Sequence, residues 1–280
     1  MTIIENKEFG GERPLFESHH VKLDHVVIHA GESAIKECSD IEAVDCVFEG
    51  KYPFWHVDGF KIHKCLFTEG ARAALWYSKN LVMTDTLVEA PKMFREMSNL
   101  KLHSVKIPNA LETLWGCHNV TLENVEIQNG DYLFMHSSDI FISDYRQQGN
   151  YSFQYCKNVE IHNAVIDSRD AFWETENVTI YDSEVKGEFL GWHSKNLKFV
   201  NCRIGGIQPL CYAENLVLEN CTMDDDCNLG FEYSTVKADI KGNIHSIKNP
   251  SSGLIVADSI GEIILDENIK QPADCEIIIR

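Results

Sequence analysis

The strongest constraint on this chain is that it repeats itself. The stretch LWYSKNLVMTDT, Leu75 to Thr86, returns 116 residues later as GWHSKNLKFVNC, Gly191 to Cys202. Aligned on the Asn of Ser-Lys-Asn, the same frame recurs at His20, Asp40, Gly59, Asn80, Asn99, Asn119, Asp139, Asn158, Asn177, Asn196, Asn215 and Thr235, with anchors 19 to 21 residues apart. A period of this length is the mark of a solenoid, in which each repeat buries its apolar face only against its neighbours.

Within a frame, Asn is followed by alternating apolar and polar residues and then by a second Asn or Asp five places on. Asn215-Leu-Val-Leu-Glu-Asn220-Cys-Thr-Met223 is a clear copy, and Asn119 to Ile127 and Asn158 to Ile166 are others. Alternation over four or five positions predicts short strands with one buried face. No long helical period is present, and Pro91 argues against a helix over Ala90 to Met97. A leucine-rich repeat would place its Asn after the strand. Here an Asn or Asp stands at each corner, as a parallel β-helix requires. Coils at the interstrand spacing of ~4.8 Å would give a rod of roughly 55 Å.

With the repeated W-x-S-K-N-L and the opening FGGERPLF, Phe9 to Phe16, the chain resembles the right-handed parallel β-helices of the pectin-lyase-like superfamily. Within that superfamily it looks like a bacterial family known only as a domain of unknown function. The resemblance implies an all-β, single-stranded right-handed parallel β-helix of about twelve short coils with terminal caps. It says little about activity, because the superfamily holds polysaccharide lyases, polygalacturonases, carbohydrate esterases and non-catalytic proteins. We read residues 1–280 as a single domain, with 1–14 as an N-terminal cap, 15–242 as coils, and 243–280 as closing strands, among them Leu254 to Ala257, Glu262 to Leu265 and Glu276 to Ile279.

In such a fold, alignment columns become rows of touching side chains. The anchor row and the row five places later are mostly Asn and Asp, which tolerate left-handed backbone and form amide ladders. Cys46, Cys65, Cys202 and Cys221 share one column and Cys38, Cys117 and Cys156 another, as small hydrophobes lining tight corners. Ten cysteines with no C-x-x-C pair give no support to a zinc ribbon or thioredoxin site. Cys202 and Cys221 fall on adjacent coils, where a disulfide is conceivable and a reduced stack is the expectation in a cytoplasmic chain.

Three columns precede the anchor. Five places before it the row is large and apolar. Four places before it stand all five tryptophans, Trp55, Trp76, Trp115, Trp173 and Trp192, together with Lys36, Arg95 and Gln154, so this row is expected to face outward. Three places before it are Glu, His and Tyr at nearly every coil, including His136, Tyr155, Glu174, His193, Tyr212 and Glu232. Two outward columns between inward ones break strict alternation, so the backbone must bend there.

This ribbon reads as a carbohydrate-binding groove. Trp76, Trp115, Trp173 and Trp192, with His136 and Tyr155, would hold a saccharide, and Glu174, His193, Tyr212 and Glu232 would form polar contacts and move protons. Glu174 and Glu232 lie three coils apart, ~14 Å by strand spacing, too far for the usual paired-carboxylate hydrolysis. Lyase or epimerase chemistry suits a His, Glu and Tyr group better. The alternative is a non-catalytic module whose aromatic ribbon is a packing or homodimer surface.

With 25 Lys and Arg against 43 Asp and Glu, the net charge is −18, which argues against nucleic acid and anionic membranes as partners. No run approaches ~18 apolar residues, and MTIIENKEFGGERP is no secretory signal, so a cytoplasmic location is expected. No cofactor is called for. Asp224, Asp225 and Asp226 offer either a Ca²⁺ site or a solvated turn. His136 and His193 are three coils apart, too far to share a zinc ion.

Overall fold

The computed structural model describes residues 1–280. Contacts cluster into two compact units, Met1–Phe141 and Ile142–Arg280, and the chain passes from one to the other within the strand Ser138–Asn150. Each unit is a stack of parallel coils. Apart from a single 3-10 turn at Glu69–Ala71, the regular structure is all β-strand. No helix is long and apolar enough to cross a membrane.

In the N-terminal unit, Thr2–Glu5, His19–Asp24, Ser39–Val44, Asp58–His63, Lys79–Thr84, Ser98–His103 and His118–Ile127 pair in parallel, each with the next. The register places Leu23, Ala43, Ile62, Met83, Leu102 and Leu122 in one inward row, all essentially inaccessible. The C-terminal unit repeats the arrangement from Lys157–Arg169 to Glu276–Ile279, with Ile161, Ile180, Phe199, Leu218, Ala238 and Ile255 as the corresponding row. A row of large side chains is removed from water at every coil, and this non-directional term drives the coiling.

Direction comes from the corners. The Asn and Asp rows sit in the left-handed region, with φ of 54° at Asn196, 55° at Asn215, 50° at Asp45 and 54° at Asn201. The column three places before the anchor is left-handed too, at Glu174, His193 and Tyr212 (φ 50°, 57° and 58°), and so are Phe94, Leu114, Phe153 and Phe172 two places earlier. These switches are the bend that the broken alternation requires. They let the tryptophan column and its neighbour both point away from the core while Phe153 and Phe172 point into it. A left-handed L-residue costs roughly 1–2 kcal/mol. Here each such corner also gains a backbone bond: the N–H of Glu174 reaches the Trp192 carbonyl at 2.9 Å and that of His193 the Cys211 carbonyl at 3.3 Å.

Thr2–Glu5 and Glu8–Glu12 pair in parallel with His19–Asp24 and Val27–Glu32, so the N-terminal segment is itself a coil. Ser252–Ile264 and Glu276–Ile279 likewise continue the stack, and the coils number about fifteen, close to the roughly twelve expected. All ten cysteines are free, nine of them buried.

Candidate functional site

The tryptophan column is half-buried rather than fully outward, because each indole lies along its neighbour. In the N-terminal unit Trp55 and Trp76 have ring centroids 5.5 Å apart, and the Arg95 guanidinium carbon sits 4.3 Å from the Trp76 ring and 4.5 Å from that of Trp115. Arg95 Nε is buried without a hydrogen-bond partner, and the cation–π contact on both faces is what holds the group there. Its Nη2 approaches Glu112 at 3.6 Å, and Lys92 binds the same carboxylate at 3.0 Å. One column over, His56 and Tyr77 stack at 5.4 Å.

Three of the five indole N–H groups have backbone partners. Trp76 Nε1 donates to the Lys92 carbonyl at 2.7 Å, Trp115 Nε1 to the Tyr132 carbonyl, and Trp192 Nε1 to the Gln208 carbonyl at 2.7 Å. Lys92, Tyr132 and Gln208 are all left-handed corner residues. The row that sequence reasoning assigned to sugar stacking therefore caps the corners of the following coil. For Trp76, Trp115 and Trp192 this bond adds to the burial that stacking on the neighbouring side chain produces.

In the C-terminal unit Trp173 and Trp192 stack at 5.6 Å, and the Trp173 Nε1 donates to its neighbour Glu174 at 3.3 Å. His193 lies 4.9 Å from Tyr212 with an interplanar angle of 17°, and 5.3 Å from Trp173. Glu174 and His193 are exposed and Tyr212 half-exposed. These three side chains stand on successive coils, as the repeat predicts, and Tyr155 precedes them, its N–H bonded to the Trp173 carbonyl at 3.0 Å. In the N-terminal unit His136 stands one coil after Gly116, whose N–H bonds the Met135 carbonyl at 2.9 Å.

Glu232 departs from its predicted row. The Tyr212 N–H donates to the Glu232 carbonyl at 2.7 Å and the Ala213 N–H to Ser234 Oγ at 2.9 Å, so Tyr233, not Glu232, is the counterpart of Tyr212. Their rings are 5.7 Å apart. Phe231 is fully buried in the large apolar row, and Glu232 takes a place in the tryptophan row. The cause is one residue fewer between Tyr233 and the strand that follows: Leu216 and Leu218 still pair with Val236 and Ala238, while the side chains just before that strand move over by one column. Glu232 there binds Lys248 at 3.1 Å, and Lys248 reaches Asp266 at 3.6 Å. The Glu232 bond holds the Lys248 ammonium above its ordinary pKa. Burial, then the Glu232 charge, raises the Tyr212 hydroxyl above its ordinary value, so Tyr212 is a neutral donor across the physiological range.

Sequence reasoning missed Lys248 because the repeat decays there, and Tyr233 because of the shift. Arg95 was visible as the one arginine in the tryptophan column. Among the acidic triplet, Asp224 accepts from Arg203 Nε at 2.7 Å and Asp226 from the Gly206 N–H at 3.0 Å.

Residues 2–278 match a family described as protein of unknown function (DUF3737). The chain belongs to the DUF3737 family. No curated protein matches it. Among solved structures, the DUF3737 chain is similar to PfbA, a surface adhesin of Streptococcus pneumoniae, at 8% identity and a TM-score of 0.52, covering 94% of this chain and 85% of that one. The periplasmic alginate epimerase AlgG matches at 9% identity and a TM-score of 0.26 over 99% of this chain and 74% of that one. The catalytic domain of a GH87 α-1,3-glucanase matches at 10% and 0.25 over 100% and 61%. At these identities the likeness is one of fold: the DUF3737 chain is a parallel β-helix.

Proposed function

We propose that this protein binds saccharide without turning it over, on the exposed column of the C-terminal unit formed by Glu174, His193 and Tyr212. The observation that carries this reading is the stacked pair His193 and Tyr212, 4.9 Å apart, backed by Trp173 and Trp192. Their ring faces are occupied by one another, so what reaches solvent is a line of polar edges: a carboxylate, an imidazole and a phenol, one per coil. Such a line suits hydroxyl groups on an extended ligand. Catalysis has less support, since the second carboxylate, Glu232, is ion-paired with Lys248 and stands in another row. A binding role also fits the fold shared with an adhesin.

The test is a glycan array followed by titration of indole fluorescence and assay for product. Quenching by a saccharide that emerges unchanged is expected, with affinity weakened roughly tenfold in His193→Ala, the loss of about one net hydrogen bond. Release of reducing ends or unsaturated products at a rate abolished by Glu174→Gln would replace binding with catalysis. Affinity unchanged in both His193→Ala and Tyr212→Phe would remove the column from the site.

A further inference from the structure

The outward strand face of the C-terminal unit carries a feature that the ribbon does not use. Asn177 Nδ2 donates to Asn158 Oδ1 at 3.2 Å, Asn196 to Asn177 at 2.8 Å and Asn215 to Asn196 at 3.1 Å. A primary amide has two N–H donors and an oxygen with two lone pairs. The ladder uses one donor and one lone pair of Asn177 and of Asn196, so each keeps one of both kinds, and all three amides at 177, 196 and 215 are exposed.

Two positions along each strand stand Thr179, Lys198 and Val217, and these six residues line a depression of about 470 Å³. A second, of about 280 Å³, shares Asn215 and Val217 and continues over Thr235, Lys237 and Ser252 to Gly253, where no side chain interrupts the floor. The two make one trough that runs across successive coils. Lys198 is neutralised by Glu219 at 2.8 Å and Lys195, beside the ladder, by Glu214 at 3.4 Å. Lys237 is the one lysine of the lining without an ion pair, so on a chain of net charge −18 this floor offers mainly paired donors and acceptors rather than a strong positive field. Adjacent donor and acceptor on a planar amide match the adjacent hydroxyls of a sugar. The coil spacing of ~4.8 Å is of the order of one pyranose unit, so successive sugars would meet chemically equivalent amides.

We propose that this trough binds a neutral, hydroxyl-rich oligosaccharide extended along the amide ladder. The inference extends saccharide binding to a second face and stands on residues other than those of the ribbon, so either can fail alone. The experiment is an NMR titration of the ¹⁵N-labelled full chain with cellohexaose, laminarihexaose, maltohexaose and hexagalacturonate at millimolar concentration. Saturable shifts of the Asn177, Asn196 and Asn215 side-chain NH₂ signals with a neutral hexaose, insensitive to added NaCl, are expected. Val217→Arg, which plugs the trough, should weaken that binding roughly tenfold or more, and His193→Ala should leave it unchanged. Should Val217→Arg not fold, Thr179→Arg is the second plug. The inference is overturned if those NH₂ signals stay still with every neutral probe, if only hexagalacturonate moves them, or if His193→Ala abolishes the shifts while the plugs do not. Movement of the Trp192 indole signal alone would support the ribbon and reject the trough.

Discussion

Asn196 does two things at once: it holds a left-handed corner (φ 54°) and passes a hydrogen bond from coil to coil. The two roles separate by substitution. Asn196→Ala loses the ladder bonds and keeps a strained φ, so it should destabilise the fold by about 1–3 kcal/mol. Asn196→Gly loses the same bonds without the strain and should be less damaging, by about 1 kcal/mol. Urea denaturation of both variants measures the difference; equal losses would mean that the corner is not under conformational strain. Tyr212 gives a second reading. Its raised pKa, due first to burial and then to Glu232, means that folding disfavours the phenolate, so its contribution to stability is lost as pH rises past the unfolded value. Glu232→Gln should lower the Tyr212 midpoint in an ultraviolet titration, and an unmoved midpoint would show that the two do not interact.

Between neighbouring coils, tolerance is set by how closely the backbones approach. At Gly187 (φ 152°) a Cβ would stand 2.0 Å from the Ser168 carbonyl oxygen, and at Gly206 (φ 107°) 2.2 Å from that of Gly187. Both contacts are with backbone, which cannot step aside. Gly206→Ala should therefore cost several kcal/mol, among the larger single-site losses, seen as a shifted denaturation midpoint; a variant of normal stability would show that the coils can separate locally. This is also where the sequence was most and least readable. Columns of Asn, Asp and Phe gave the corners and the core because they repeat at every coil. The half-burial of Trp76, Trp115 and Trp192 was not readable, because it depends on carbonyls 16 or 17 residues ahead whose residue types, Lys, Tyr and Gln, share nothing. Glu232 was misplaced because Thr235 aligns correctly with Asn215, and the residue missing between Tyr233 and Val236 shows only in the bonds from Tyr212 to the Glu232 carbonyl and from Ala213 to Ser234.

Within the N-terminal unit, charge pairing makes stability depend on pH from both sides. His29 lies between Glu8, 3.1 Å from Nε2, and Glu49, 3.0 Å from Nδ1, and these carboxylates raise its pKa. Its contribution is fully present below the unfolded value and is lost as pH rises through the folded one. Asp58 is lowered by the Asn80 amide and then by Lys79, so its contribution is present above the unfolded carboxylate value and is lost as pH falls through the folded one. Melting temperature followed from pH 6 to 8 should fall more in the parent than in His29→Gln; parallel curves would show that His29 contributes nothing.

The amide ladders have a polarity. Asn80 donates to Asp58, Asn99 to Asn80 and Asn119 to Asn99, while Asn201 donates to Asp182 and Asn220 to Asn201, in each case toward the earlier coil, and these two ladders end at a carboxylate. Any interior coil thus presents the same half-reaction above and below, like a brick with one stud and one socket. A gene that duplicated twenty codons at such a coil would lengthen the protein with every new Asn already matched, whereas duplicating the aspartate-bearing coil would bring a carboxylate against an acceptor. Growth and loss of whole turns are therefore the easy evolutionary moves for this chain, and single-residue insertions the hard ones.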